Sequence, residues 1–329
     1  MGNLSLGAAL RRGAIVTAAN WPVVIIDFIL ESFYKLALTF PIFGGALMVV
    51  ALVGADLGAV VGEGLRATTD LVISSLGTAP VALAAFLVAL AIVGAGGAVL
   101  MFVLKAGTLS VLTAAERAAG DVHVSPLRLE KVRRAEAYSL NAVYDGTRRF
   151  GRRAFVLALW LAVSYVLVGG TYLTVMGYGF AMVGTWPWMP AWPLLVLIAT
   201  TTAVVTIAGV NLAFDLLRVI MLTDDCSLST AVRRLWPFVV DDARQVVGIF
   251  SVIGGIQIVM TVLSLITAAG IALVAWVPVV GLVVVPLQAA AWVLRGVLLQ
   301  YVALAALSAY QTQYRRYSEL RFLPATSPS

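Results

Sequence analysis

Six stretches of this chain are long and apolar enough to cross a lipid bilayer, at roughly 36–56, 81–104, 154–176, 192–217, 246–275 and 279–308. A spanning helix needs about 20 mainly apolar residues. A soluble fold of 329 residues cannot hide so much apolar surface. Hydrophobic residues make up 61% of the chain and charged residues only 12%, and the mean hydropathy is +1.00. Inside hydrocarbon, backbone polar groups must be satisfied within the segment, so each run has to be a helix. The predicted fold is all-α. It is a polytopic membrane protein of six transmembrane helices, arranged as three hairpins with interfacial amphipathic helices. Residues 1–329 read as one membrane domain, with hairpin units at about 20–104, 143–217 and 231–309. A linker at 105–153 and a tail at 310–329 complete it.

Basic residues set the predicted orientation. Arg11 and Arg12 precede the first run, and ten Lys and Arg lie from Lys105 to Arg153. Arg218, Arg233, Arg234 and Arg244 separate the fourth run from the fifth, and Arg315, Arg316 and Arg321 follow the sixth. The alternate loops carry only Arg66. The positive-inside rule therefore places both termini in the cytoplasm. Trp186, Trp188 and Trp192 fall in an outer loop, as an aromatic belt at the membrane boundary. The run after Arg12 is broken by Asp27, Glu31 and Lys35, unlike the short apolar core of a cleavable signal, so the N-terminus is expected to be retained. The Ala, Val, Gly and Arg bias fits a bacterial cytoplasmic membrane.

Three segments look amphipathic rather than spanning: 21–35, 57–76 and 126–153, the last opening at Ser125-Pro126. An internal pattern also recurs. Gly97 to Phe102, Gly209 to Phe214 and Gly296 to Tyr301 each read G-x-x-L-x-[FY], late in an even-numbered run. Trp21 to Ile25 and Trp236 to Val240 share W-P-x-V-[VI]. Three repeated hairpins, each introduced by a basic interfacial segment, would explain this. Gly54, Gly58 and Gly62, and the cluster Gly94, Gly96 and Gly97, offer close-packing surfaces.

Chemistry is sparse. Cys226 and His123 are the only cysteine and histidine, which argues against most metal and acid–base sites. No nucleotide-binding, zinc-protease or hydrolase motif is present. No cofactor is expected, and neither metal binding at the Asp224-Asp225 and Asp241-Asp242 pairs nor nucleic-acid binding has support. The candidate intramembrane polar site is Arg295 with Asp215, Asn211 and Gln300, because ionisable groups inside spans are costly and mark function. Repeat alignment puts Arg295 and Asp215 about 10 Å apart in depth, at about 1.5 Å per residue. Candidate contacts to anionic lipid are Arg148, Arg149, Arg152, Arg153, Arg233 and Arg234. The helix expected at 126–153 is the candidate surface for a protein partner.

The segment from Arg218 to Ile253 has a span, a short acidic turn, the amphipathic stretch Ala231-Val232-Arg233-Arg234-Leu235-Trp236 and then another span. The tail from Ser308 to Tyr317 is aromatic and basic. Together these features resemble the membrane domain of bacterial glycerophosphodiester phosphodiesterases and related domains of unknown function. The resemblance implies the membrane architecture and brings no catalytic residue with it, since the phosphodiesterase barrel is absent from the chain. The expected function is non-catalytic: a scaffold, accessory subunit or lipid-interacting factor. A transport protein, or the permease subunit of a multicomponent exporter, is the alternative. In intact cells, a cysteine introduced as Trp188→Cys should react with an impermeant thiol reagent and one introduced as Lys131→Cys should not; the reverse pattern would overturn the orientation.

Overall fold

A computed structural model describes residues 5–52, 80–120, 122, 124, 129–183, 191–274 and 278–322. Among the described residues there are helices and no strand. The helices are α1 (Leu6–Ala19), α2 (Trp21–Leu52), α3 (Pro80–Ala118), α4 (Leu129–Arg134), α5 (Leu140–Val183), α6 (Ala191–Thr223), α7 (Leu228–Asp241), α8 (Ala243–Val274) and α9 (Pro278–Phe322). Five are long and apolar enough to cross a membrane, or six if α1 and α2, bent by 81° at Asn20, form one broken span. The protein is thus an all-α polytopic membrane protein. The six apolar runs fall in α2, α3, α5, α6, α8 and α9. The 57–76 segment, the Gly54, Gly58 and Gly62 run, Ser125-Pro126, His123, Trp186 and Trp188 lie outside the described residues.

The chain forms two compact units, one of residues 29–102 and one of residues 1–28 and 103–329. In the smaller unit, the Tyr34 hydroxyl donates to the Gly94 carbonyl at 2.8 Å. A Cβ at Gly97 would meet the Tyr34 ring at 2.5 Å, so α2 and α3 approach closely there. This is the packing role expected of that glycine cluster.

The larger unit is organised by a polar base. Within it α1 lies against α9, and Gly13 makes this possible: an added Cβ would sit 2.4 Å from the Ala305 carbonyl and 2.8 Å from the Ala309 nitrogen. Arg12 is buried and donates from Nε to Glu116 Oε1 of α3 at 2.6 Å, and from Nη2 to the Glu116 carbonyl at 3.1 Å. Its Nη1 reaches the carbonyl of Gly120, whose φ of 52° ends α3 in the left-handed manner that favours glycine. Thr312 of α9 donates to the same Glu116 oxygen at 2.9 Å, and Gln311 donates to Thr113 at 2.9 Å. One cation therefore caps α3 and ties α1 to α3, while Glu116 brings in α9.

Two expected interfacial helices take another form. Residues 21–35 are the opening turns of α2, continuous with its apolar run. Residues 126–153 divide into the short α4, a non-helical stretch at 136–139, and the first turns of α5. Asn20 explains the break. Its side-chain amide donates to the Ala135 carbonyl at 2.7 Å, and its carbonyl oxygen accepts from the Ala137 nitrogen at 2.9 Å. Asn20 is fully buried, and it satisfies the backbone groups that a continuing helix would otherwise pair.

α7 docks on the same base. Ser227 caps its start, and Ala231 and Phe238 are fully buried on its inner face. Phe238 meets Tyr314 of α9 edge-to-face, with ring centroids 5.2 Å apart. α1 and α7 are each 14 residues long, each is capped by a serine (Ser5, Ser227), and each is followed after a single residue by a long helix. In both, the second arginine of the pair reaches a carboxylate: Arg12 to Glu116, Arg234 to Asp224. Arg11 and Arg233 are exposed.

Beyond the base, α5 packs on α6 and α8 on α9, but most apolar side chains point outward. The most apolar window of α6 has none of its residues buried, and that of α8 has 11%. Leu197, Ile198 and Val205 on α6, and Ile258, Leu265 and Ile266 on α8, form surface that only lipid can cover. The fold's cohesion therefore resides in the base. Gly13→Ala should lower stability in detergent by about 2 kcal/mol or more through overpacking. Asn20→Ala should cost about 1–3 kcal/mol for each orphaned backbone group. Thermal unfolding of the two variants beside wild type checks both values.

Candidate functional site

The hairpin of α8 and α9 encloses a cleft of about 250 Å³. Met260, Leu263 and Ser264 of α8 face Gln288, Trp292 and Arg295 of α9 across it. Periodicity puts them there: Met260, Leu263, Ser264 and Thr267 recur at helical spacing, as do Gln288, Trp292 and Arg295. Arg295 stands some 26 Å along α9 from Pro278, at about 1.5 Å per residue. Its Nε is buried without a hydrogen-bond partner, and it forms no ion pair among the described residues. α8 carries no acid, and the one acid of α9, Glu319, pairs with Arg315 at 2.9 Å. A cation thus borders an apolar intramembrane cleft without a carboxylate in its own hairpin.

The expected companions of Arg295 are engaged elsewhere. Asp215 of α6 holds Arg218 at 2.8 Å, one turn away on its own helix. Asn211 accepts from the Tyr165 hydroxyl of α5 and so ties the second hairpin together. Gln300 is buried near the base, next to Tyr301, whose hydroxyl donates to the Ala14 carbonyl at 3.0 Å. A second cleft, of about 400 Å³, lies between α5 and α6 and is lined by Tyr172, Thr202 and Thr206 among apolar residues.

The six arginines proposed to meet lipid divide into two groups. Arg153 Nη1 donates to Asp225 at 2.6 Å, Arg149 also reaches Asp225, and both guanidiniums lie over the Phe150 ring. Arg234 is held by Asp224, which also accepts from Tyr314. Arg148, Arg152 and Arg233 are exposed and form no ion pair among the described residues. Asp225 has a φ of 48°, which ends α6 in the left-handed region. Hydrogen bonds from Arg149 and then Arg153 hold its carboxyl below the usual carboxylate range. Burial, reinforced by the charge of Asp224, pushes the Cys226 thiol up, so that it is neutral and unreactive at neutral pH. No group of three or more His, Cys, Asp or Glu able to hold a metal occurs among the described residues.

Comparison of this chain with protein-family models, with curated proteins and with solved structures finds no match.

Sequence reasoning missed the Arg12, Glu116 and Thr312 network, because a basic pair ahead of a span reads as a topology signal. Glu116 itself was the available clue, as an acid 12 residues past the expected end of the second run. The Asp225 contacts predict a pH dependence. A carboxylate with a depressed folded pKa contributes stability that is fully present above its unfolded value of about 3.9 and is lost as pH falls through the folded one. The difference in melting temperature between wild type and Asp225→Asn should be constant above about pH 5 and shrink steadily on acidification below about pH 4. An unchanged difference at pH 3 would contradict the paired state of Asp225.

Proposed function

We propose that this chain is a non-catalytic, lipid-interacting protein of a bacterial cytoplasmic membrane, serving as a scaffold or accessory subunit. The base faces the cytoplasm, and its surface lies against the anionic inner leaflet. The observation that carries this reading is the outer face of α7. Val232, Trp236 and Val240, one turn apart, are 51%, 74% and 56% exposed, while Ala231 and Phe238 on the opposite face are fully buried. A helix with one face docked on protein and an exposed Trp and Val stripe beside Arg233 suits the headgroup boundary. Trp21, also preceded by a basic pair and followed by proline, is 64% exposed at the start of α2. The matched lengths, caps and arginine pairs of α1 and α7 support an internal repeat, registered on Ser5 and Ser227 rather than on the two Trp-Pro motifs.

A protein partner would meet the patch formed by Leu129 of α4 and Leu140 and Tyr144 of α5, which are 78%, 70% and 67% exposed. A transport role, alone or as a permease subunit, is the second reading, favoured by the clefts inside both hairpins.

Arg148, Arg152 and Arg233 test the lipid reading, because none of them takes part in an ion pair of the base. Each basic group near an anionic surface contributes about 1 kcal/mol. Reversing all three to Glu should leave the melting temperature within a few degrees of wild type. It should weaken binding of the detergent-solubilised protein to phosphatidylglycerol vesicles at least tenfold, as read by flotation, with little change on phosphatidylcholine. Equal flotation of variant and wild type would overturn the proposal.

A further inference from the structure

We propose that the α8–α9 cleft is a binding site for an anionic, phosphate-headed membrane lipid, with Arg295 as its counter-charge. The site deepens the lipid-interacting reading but stands on other residues, so the two tests fail independently. Three observations converge on it. First, Arg295 lines a cleft in a hairpin whose membrane section has no acid, and its buried Nε lacks a partner among the described residues. A charge at this depth is retained at a cost and calls for a counter-ion. Second, the lining is otherwise mostly apolar, with Ser264 and Gln288 as the further polar groups beside Thr267, whose hydroxyl donates to the Leu263 carbonyl at 2.8 Å. A ligand that fits has one anionic group and a hydrocarbon body. Third, the cleft opens sideways: Leu263, Trp292 and Leu294 at its edge are 62%, 66% and 61% exposed. In a chain of this hydropathy that edge faces the bilayer, so the occupant arrives laterally from lipid and not from water.

A guanidinium presents a planar fork of donors that matches two phosphate oxygens, which a lysine cannot reproduce. The head would lie on Arg295, with Ser264 and Gln288 as supplementary donors, and the acyl chains would run over Leu263 and Leu294 into the surrounding lipid. The volume of about 250 Å³ accepts a head and the first methylenes rather than a whole phospholipid. No bond is made or broken; the site holds.

The test is native mass spectrometry of the detergent-purified full chain with three probes: phosphatidylglycerol, a diacylglycerol with the same acyl chains, and inorganic phosphate. Wild type should retain one phosphatidylglycerol per chain under activation that strips the diacylglycerol. Arg295→Gln should reduce that retention at least tenfold, and Arg295→Lys should fall between the two. Millimolar inorganic phosphate should not displace the lipid; displacement would mean a site for a soluble anion and would overturn the lipid assignment. Without lipid, Arg295→Gln should melt at or above the wild-type temperature, since a costly buried charge is gone, and it should lose the upward shift that phosphatidylglycerol gives wild type. Leu263→Trp fills the cleft from the α8 wall with Arg295 left in place, and should abolish retention as well. Wild-type retention in both Arg295→Gln and Leu263→Trp would overturn the site. So would a destabilised Arg295→Gln rescued by Asp27→Asn. Asp27 is buried on α2 beside Phe28, whose ring meets α9 at Gly296, and rescue would make Arg295 its structural partner.

Discussion

The Arg12–Glu116 pair holds the larger unit together, and its side chains are only 9% and 4% exposed. Two charges taken out of water repay their desolvation only when further hydrogen bonds satisfy them. Here the additional bonds come from two further parts of the chain, the end of α3 and α9. Arg12 also takes the carbonyls that end α3, and Glu116 also takes the hydroxyl of Thr312 on α9. Removing either member of a buried pair typically costs about 3–5 kcal/mol, because the survivor is left uncompensated. The requirement constrains everything around it. α1 must lie flat enough on α9 for Arg12 to reach, which demands Gly13, and the chain must then turn by 81°, which Asn20 accommodates.

The rest of the larger unit follows from that anchoring. With cohesion concentrated at one end, the hairpins need little packing along the apolar part of their length. Lipid removes the usual reason to bury apolar side chains, and only shape, small residues and polar contacts favour helix association there. The contacts found are of that kind, with Tyr165 on Asn211 and Tyr172 on Thr200 in one hairpin, and each hairpin also keeps a cleft between its helices. Such loose hairpins leave space between their helices, and that space is where Arg295 is tolerated.

The helical, membrane-crossing character was legible because a bilayer imposes a length and a polarity that any spanning segment must show. The apolar runs map onto α2, α3, α5, α6, α8 and α9 almost as drawn. What was illegible depends on partners remote in sequence. α1 has no marked apolar stripe and is defined by Arg12, whose partner lies 104 residues on. The amphipathic pattern suggested one helix across 126–153; the break between Leu129 and Leu140 is held by Asn20, 115 residues from Ala135. The candidate site was half legible. Arg295 stands out because a span rarely holds an arginine, whereas the partner Asp215 takes, Arg218 on its own helix, is one of several cations it could have met.

The docking of α1 on α9 joins the first of the described helices to the last. The Tyr301 hydroxyl reaches the Ala14 carbonyl across 287 residues, and Thr312 adds a hydrogen bond to a carboxylate oxygen that Arg12 can meet before α9 exists. During synthesis α1 therefore waits with an uncovered strip of backbone around Gly13, and Glu116 waits without the Thr312 hydroxyl. Only a chain translated through α9 can close this joint. Passage of synthesis beyond α9 is thereby written into the fold as a physical state, joint open or joint closed.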